Sequence, residues 1–369
     1  MRGGAPAAAP TTASRSMSKK NQPPWTPSPE HAALLPELSG CELNGWEEAE
    51  ARRPRQIFWL RKPGNHPFAR LLDAVKQRFT QVQAYNDVYA KADRGPHKLP
   101  DPAPERRGAS ADSWTAQIKD FVLDRPGGRP AGYPGAGSEA ELVGIAAIRP
   151  EWVYEGFEST LPNLVIVGNA MDHARLSRVP SSAEDPEGQL EVCDQYNRGA
   201  RVVNWLAHWI RGQGYQAVPH AGPWVGSLNL LPAAIACGFG ELGKHGSLIN
   251  REFGSSFRLA AVETDLPLLP DAPDAFGADD FCAGCQVCAN ECPPDAISRE
   301  KRLVRGTVKW AVDFDRCIPY FNETYGCGIC IAVCPWSTPG RAPKLAARFS
   351  RRAAERAAVR ATNGSEVGA

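Results

Sequence analysis

The sequence predicts an α+β protein that carries a smaller, cysteine-rich module near its C-terminal end. Short apolar runs bounded by turn residues at 141–148, 163–168 and 257–262 are typical of buried strands. Apolar residues at helical spacing over 196–211, followed by Gly212 and Gly214, and a shorter apolar segment at 230–237 indicate helices. Eight of the 11 cysteines lie between residues 282 and 334 and define the module.

The cysteine spacing predicts the chemistry of the module. One run is Cys-x2-Cys-x2-Cys-x3-Cys-Pro from residue 282, and a second run after Cys317 ends in Cys-x2-Cys-x3-Cys-Pro. In ferredoxins with two clusters, the fourth cysteine of each run binds the other cluster. Zinc sites usually show isolated Cys-x2-Cys pairs, and disulfide frameworks belong to short secreted chains. We therefore expect a two-cluster ferredoxin-like module with two 4Fe-4S clusters, one held by Cys282, Cys285, Cys288 and Cys334 and the other by Cys292, Cys317, Cys327 and Cys330.

Composition divides the chain into four segments. Residues 1–40 are rich in Ala, Pro, Ser and Thr and are expected to be disordered. A main domain at 41–275 follows, in which residues 85–138 are expected to form a surface excursion with few regular elements. The cysteine module spans 276–340, and a basic helical tail spans 341–369. The basic face of the tail is expected to be solvated, with docking of an acidic electron donor as the alternative.

Charge and hydropathy limit the partners and the location. With 369 residues, 43% of them hydrophobic, and a net charge of +1, the chain can bury a sizeable core and gives no electrostatic reason to expect nucleic acid or membrane as a partner. The N-terminal segment lacks the apolar core of a signal peptide, and no apolar run is long enough to cross a bilayer. We therefore expect a cytoplasmic location. The scattered Cys41, Cys193 and Cys237 are expected to be buried and inert.

Residues 140–340 contain three characteristic segments: GFGELGKHGSLINREFGSSFRLAAVETDLPL at 238–268, then FCAGCQVCANECPPDAI, and later KWAVDFDRCIPYFNETYGCGICIAVCPW. In this order the segments resemble those of the cobalamin-dependent reductive dehalogenases. Epoxyqueuosine reductase, a sister family, is similar over GKHGSLINREFGS. Segment 217–224 lacks the carboxylate that epoxyqueuosine reductases use as proton donor, and segment 209–217 is similar to a dehalogenase element. Both features favour the dehalogenases.

The resemblance implies a cobalamin-binding, nitroreductase-like core in the corrinoid and substrate domain at 41–275. It implies a base-off corrinoid without a protein ligand below the cobalt. The implied activity is removal of halide from a small, aromatic organohalide with electrons from a ferredoxin, flavodoxin or reductase. The alternatives are an epoxyqueuosine reductase-like tRNA-modifying enzyme and a ferredoxin-like electron carrier. Loops that bring backbone close to the corrin are expected at Gly222, Gly226, Gly238, Gly240 and Gly246.

The resemblance also implies a tyrosine proton donor held by a basic side chain. Lys244, in Gly-Lys-His-Gly, matches the basic position. Where dehalogenases often have Met-Asp-Tyr, this chain has Met-Asp-His, so His173 is expected to replace the tyrosine because imidazolium titrates near neutral pH. Tyr196 is the competing donor. His220 and His245 are weaker candidates, expected to hydrogen-bond backbone groups.

Overall fold

The computed structural model describes residues 23–123, 140–224 and 226–365. Its helices are α1 Pro29–Ala32, α2 Gly40–Leu43, α3 Ala69–Thr80, α4 Gln83–Ala90, α5 Ala111–Val122, α6 His173–Leu176, α7 Glu187–Gly212, α8 Leu230–Ala236, α9 Ala278–Gly284, α10 Val287–Asn290, α11 Phe314–Glu323, α12 Ile329–Ala332 and α13 Ala342–Ser365. Its strands are β1 Leu142–Ala147, β2 Asn163–Ala170, β3 Ala217–His220, β4 Glu241–Leu242, β5 Leu248–Ile249, β6 Phe257–Thr264, β7 Arg302–Val304 and β8 Thr307–Lys309. The mixture of helices and strands confirms the predicted α+β class.

An antiparallel sheet with strand order β1-β2-β6-β3 forms the centre of the main domain. Side chains alternate between the two faces of a strand, and both faces of β2 are covered. Val165 and Val167 pack in one apolar cluster with residues of α7, whereas Leu164 and Ile166 pack in another with residues of α8. The strands predicted from apolar runs are therefore present, because each run is buried between two layers of helix.

Helix α7 is longer than the sequence predicts. Val202 and Leu206 pack against the sheet as expected, but the helix begins at Glu187, well before residue 196. Its N-terminal half buries polar side chains instead of an apolar stripe. The buried Glu191 carboxylate, for example, forms an ion pair with Arg175 at 2.5 Å. Such polar pairing hides this half of the helix from a search for apolar periodicity.

The cysteine module meets the main domain at the β4–β5 hairpin. The Glu241 carboxylate of β4 accepts hydrogen bonds from the backbone N–H groups that begin α9, those of Phe276, Gly277 and Ala278. Gly254 lies just after the hairpin with φ +58°, and a Cβ there would overlap the Trp336 carbonyl oxygen. These two contacts hold the module closely against the sheet domain.

The described part of the N-terminal segment is ordered, so the expectation of disorder over residues 1–40 is wrong for residues 23–40. The Trp25 N–H donates to the Pro293 carbonyl at 2.9 Å, and the Trp25 ring contacts Tyr320 with centroids 5.1 Å apart. Helix α1 follows, capped by the Ser28 side chain. Packing on the cysteine module compensates for the low hydrophobicity of the segment. Residues 1–22 lie outside the described residues.

Two further segments complete the architecture. Helix α5 lies within the expected surface excursion but belongs to the core, because Trp114, Ile118 and Phe121 are buried against α7. Residues 124–139 of that excursion lie outside the described residues. Helix α13 packs on α9 through Phe349, whose ring centroid is 5.5 Å from that of Phe281. Within the described ranges, no helix has the length and apolar character needed to cross a membrane.

Candidate functional site

The structure gathers the eight clustered cysteines into two groups. In the first cysteine group, burial raises the pKa of Cys288 to about 12, and nearby thiols contribute to the rise. In the second cysteine group, burial raises the pKa of Cys317 to about 12, again with a contribution from neighbouring thiols. The first group consists of Cys282, Cys285, Cys288 and Cys334, and the second of Cys292, Cys317, Cys327 and Cys330.

This grouping suits two metal clusters with crossed ligation. All 11 cysteines have free thiols, so these eight are available as ligands. A buried thiol with a raised pKa is neutral by itself, and a bound metal supplies the positive charge that makes thiolate favourable. The Ala296 N–H donates to the Cys292 sulfur at 3.3 Å, a contact that would stabilise the thiolate. The assignment of individual ligands stays a prediction.

The three remaining cysteines have structural surroundings. Cys41 accepts a hydrogen bond from the Phe314 N–H at 3.2 Å, and burial raises its pKa to about 12. The Cys237 thiol donates to the Ala234 carbonyl at 3.4 Å. Cys193 lies buried in an apolar cluster. Each is buried, as the sequence predicts, and its expected inertness stays a prediction.

A largely apolar cavity of about 430 Å³ lies between α7, β6 and the cysteine module. From the module, Phe321 and Gly326 reach the cavity wall beside Cys327, and Tyr196 packs in the same apolar cluster as Cys330. The cavity therefore borders the second cysteine group. Its lining residues are mainly aromatic and apolar: Trp59, Lys76, Phe79, Thr80, Tyr85, Asn86, Tyr89, Gln189, Val192, Tyr196, Pro223, Trp224, Arg258, Phe321 and Gly326.

Tyr196 and Arg258 lie together at the wall of this cavity. The guanidinium carbon of Arg258 is 5.9 Å from the centroid of the Tyr196 ring. Arg258 Nε is buried, and no residue in the described ranges accepts a hydrogen bond from it. Tyr196 has a phenolic O–H and Arg258 a permanent positive charge, so the pair brings a proton-donating group and a cation to the same wall of the cavity. Sequence analysis did not select Arg258, although a lone arginine in the apolar strand FRLAAVET is a usable signal.

The structure places Lys244 away from Tyr196, and its expected role beside a proton donor stays a prediction. Lys244 is 1% exposed and does not line the cavity that contains Tyr196. Its Nζ lies 4.7 Å from the centroid of the Trp310 ring and donates to the Arg299 carbonyl at 3.3 Å. The β4–β5 hairpin turns Lys244 toward the first cysteine group, away from the cavity.

His173 is also absent from the cavity wall. Its Nε2 lies 3.0 Å from the Ala332 carbonyl oxygen, and Asp172 caps the short helix α6 by accepting from Ala174 N at 2.7 Å. This cap orients His173 toward the cysteine module. In the structure its imidazole contacts the backbone of the cysteine module, and the expected replacement of a donor tyrosine by His173 stays a prediction.

The other histidines have polar partners within the chain. His245 is buried, and burial lowers its pKa to about 4. The Ser247 N–H donates to His245 Nδ1 at 3.1 Å, and His245 Nε2 lies 2.9 Å from the Ser255 hydroxyl. His220 Nε2 lies 2.5 Å from the Glu263 carboxylate. His245 therefore stabilises a loop and His220 links strands β3 and β6, and each has a side-chain partner that the sequence did not predict.

The five glycines predicted to contact the cofactor do not share one cleft. Gly222 packs on the Tyr196 ring near the cavity, where a Cβ would overlap that ring. A Cβ at Gly240 would overlap the carbonyl oxygen of Ile249 in the β4–β5 hairpin. Of the remaining three, Gly226 lies close to His220, Gly238 to Ala272 and Gly246 to Val312. Contacts within the chain thus account for these glycines, and only Gly222 lies close to a residue of the cavity wall.

Comparison with known proteins finds relatives in sequence and in structure. Residues 281–338 match the family model of the 4Fe-4S dicluster domain, which confirms the two-cluster ferredoxin-like module. The chain is 34% identical over 188 residues to tetrachloroethene reductive dehalogenase of Sulfurospirillum multivorans, covering 48% of this chain and 36% of that protein. It is 35% identical over 121 residues to epoxyqueuosine reductase of Leadbetterella byssophila, covering 28% of this chain and 35% of that protein.

A solved structure shows the same fold. The catabolic reductive dehalogenase NpRdhA, in complex with 3-bromo-4-hydroxybenzoic acid, superposes with a TM-score of 0.61 at 22% identity, covering 86% of this chain and 49% of that one. The module first defines the class, a protein with a 4Fe-4S dicluster domain. The matches then confirm the resemblance to the cobalamin-dependent reductive dehalogenase family, to which epoxyqueuosine reductase is related. The matched region spans about 36% of the first of these relatives.

Proposed function

We propose that the protein is a reductive dehalogenase that depends on a corrinoid and two 4Fe-4S clusters and removes halide from a small aromatic organohalide. The observation that carries the proposal is the Tyr196–Arg258 pair at the wall of a largely aromatic cavity that borders the second cysteine group. The relationship to the reductive dehalogenases supports the reaction type. A simple electron carrier would need no such cavity.

The residues of the cavity fit a corrinoid without a protein ligand. Among its described lining residues, none has an imidazole or a thiol that could bind cobalt. The unpaired Arg258 Nε marks a position where a bound group is expected to accept a hydrogen bond. Trp59 and Phe321, whose ring centroids are 6.1 Å apart, offer apolar surface for a planar ring system. When bound, the corrinoid supplies a strongly reducing metal centre.

The protein's own groups divide the remaining work. Tyr196 donates the proton that replaces halide on carbon, and Arg258 stabilises the phenolate that remains. The aromatic wall excludes water and contacts the ring of the substrate. A second cavity of about 680 Å³ adjoins the first at Trp224 and is lined by polar groups that include Arg94 and His220. It offers hydrogen-bond donors to the polar periphery of a bound cofactor or substrate.

The proposal includes the expected organisation of the chain. Residues 41–275 form the corrinoid and substrate domain, with a nitroreductase-like core, and residues 276–340 form the ferredoxin-like domain. Electrons come from an external ferredoxin, flavodoxin or reductase, and the location is cytoplasmic. Nothing in the described structure favours the tRNA-modifying alternative, and its substrate enters the experiment below as a comparison.

The test begins with anaerobic reconstitution with iron, sulfide and cobalamin. We expect a bound corrinoid in the visible spectrum, and cobalt(II) resonance without the nitrogen splitting of an axial imidazole. Halide release from halogenated phenols is then measured with a chemical reductant. Tyr196→Phe and Arg258→Met are expected to lower turnover by roughly 10²- to 10⁴-fold at unchanged cofactor content, as for other lost acid-base groups.

Tyr89→Phe is the matched control, because Tyr89 lines the same cavity without the Arg258 contact. It should retain most of the turnover. Full activity of Tyr196→Phe, or an equal loss in Tyr89→Phe, contradicts the assigned donor. Reduction of epoxyqueuosine-containing tRNA without halide release from any phenol contradicts the dehalogenase proposal itself.

A further inference from the structure

Lys244 is a buried cation without an acidic partner. It is 1% exposed, and within the described ranges no carboxylate lies at ion-pair distance from its Nζ. Its contacts are the Trp310 ring at 4.7 Å and the Arg299 carbonyl at 3.3 Å. These neutral groups offset only part of the cost of removing an ammonium ion from water. The position therefore calls for a negative charge that the side chains do not provide.

The nearest source of negative charge is the first cysteine group. Lys244 lies in the turn of the β4–β5 hairpin, and Leu242 and Ile249 of that hairpin share an apolar cluster with Cys282, Cys334 and Trp310. The Trp310 ring that Lys244 contacts packs in this same cluster with Cys282 and Cys334. Lys244 lies close enough to Cys282 and Cys288 for its charge to act on both sulfurs.

We propose that Lys244 is the counter-charge of the cluster held by Cys282, Cys285, Cys288 and Cys334, and that its ammonium group raises the reduction potential of this cluster. A 4Fe-4S cluster with four thiolate ligands is an anion, and it becomes more negative when it accepts an electron. A cation close to it in a low-dielectric interior stabilises the reduced form more than the oxidised form. The reaction is transfer of one electron from a low-potential donor, and no bond to Lys244 forms or breaks.

The second cysteine group has a different electrostatic environment. Cys317 lies near the Asp313 carboxylate, so this group has a negative charge beside it where the first group has the Lys244 cation. Removal of the Lys244 charge is therefore expected to change one of two cluster potentials. The inference concerns the module alone and does not depend on the substrate or on the corrinoid.

The experiment is a redox titration of the anaerobically reconstituted full chain with dithionite, followed by electron paramagnetic resonance. Lys244→Met removes the charge but keeps the aliphatic stem and the backbone N–H. Lys244→Gln also retains a donor for the Arg299 carbonyl. In both variants we expect one midpoint potential to fall and the other to stay unchanged. Lys244→Arg, which keeps the charge, should stay near the wild-type values.

Lys301→Met is the matched control. Lys301 Nζ lies 5.4 Å from the same Trp310 ring, but it forms an ion pair with Asp279 at 2.6 Å, and its side chain is 35% exposed. Because Asp279 and solvent already balance this charge, both potentials should be unchanged.

Each outcome decides the proposal. Unchanged potentials in the two neutral variants, an equal fall of both potentials, or an equal effect of Lys301→Met overturns it. If both neutral variants lose half of the iron while Lys244→Arg keeps it, the charge is needed to hold the cluster, which supports the pairing. Loss of iron in all three variants overturns the proposal, because the requirement is then one of shape.

Discussion

Glu241 is predicted to hold the first turn of the helix that carries Cys282 and Cys285. Helix α9 has no cap of its own, because its N-cap residue is Gly277 with φ +90°. One oxygen of the distant Glu241 carboxylate accepts three backbone hydrogen bonds of 2.8, 2.8 and 2.9 Å from the start of the helix. The carboxylate also places negative charge at the positive end of the helix. Replacement by alanine leaves all three N–H groups without this acceptor.

The expected cost follows from these contacts. A lost N-cap typically costs about 0.5–2 kcal/mol, and hydrogen bonds to charged groups contribute about 1.5–3 kcal/mol. Because Glu241 is half-buried, water can replace part of what is lost, and about 2–3 kcal/mol of local stability is a reasonable expectation for Glu241→Ala. Since about 1.4 kcal/mol is a factor of ten, the amides of 276–279 should exchange with solvent roughly 30- to 150-fold faster.

Hydrogen exchange of the peptide that covers this helix start, measured on cluster-loaded protein, provides the assay. Glu241→Gln keeps an acceptor oxygen without the charge, so its exchange should rise by only about fivefold. Glu252→Ala, an exposed carboxylate in the same part of the chain, should leave exchange unchanged. A rise of less than twofold in Glu241→Ala refutes the reasoning, because it means that the cap contributes nothing that water does not replace.

Three further predictions concern packing, pH and metal content. Gly254→Ala should lower the thermal unfolding midpoint more than Gly340→Ala does. Both glycines have positive φ, where a side chain costs about 1–2 kcal/mol of strain, but of the two only Gly254 lies where a Cβ would also overlap the Trp336 backbone. Because burial lowers the pKa of His245 to about 4, the folded state resists protonation, so stability in urea should fall by about 2 kcal/mol from pH 7 to pH 5, and His245→Gln should remove this slope. Iron and sulfide analysis should give about eight of each per chain in the wild-type protein. Cys317→Ser should lower both contents to about half, whereas Cys41→Ser should leave them unchanged. Zinc in place of iron contradicts the cluster assignment.

Much of the sheet domain could be predicted from local patterns. Strands β1, β2 and β6 are apolar runs buried on both faces, and an apolar run can be recognised from the sequence alone. The start of α7 and the whole of α5 were missed for different reasons. The first part of α7 buries polar side chains that pair with each other, whereas the apolar residues of α5 stand in a segment dominated by Pro, Gly and charge. Local pattern therefore fails where burial depends on partners distant in sequence.

The same limit explains the candidate site. The two cysteine groups could be predicted because most of their ligand spacings are short and follow the two-cluster pattern. The partner of Tyr196 could not, because Arg258 reaches it from a strand that pairs with β2 and β3, and sequence spacing does not reveal that approach. Lys244 was assigned to the proton donor by resemblance, and only the course of the β4–β5 hairpin shows that it faces the first cysteine group.

Lys244 and Arg258 each bring a positive charge to the interior without an acidic partner. Lys244 is buried, Arg258 is half-buried with a buried Nε, and within the described ranges neither has a carboxylate at ion-pair distance. Folding tolerates such a charge when something else compensates for it, so each position indicates where negative charge is expected. Arg258 faces the cavity, where a phenolate would form on Tyr196, and Lys244 faces thiols that become thiolates when they bind metal. We thus propose that Arg258 affects proton transfer and that Lys244 affects the reduction potential of one cluster. A substitution of Lys244 should therefore change a midpoint potential, and a substitution of Arg258 should change turnover.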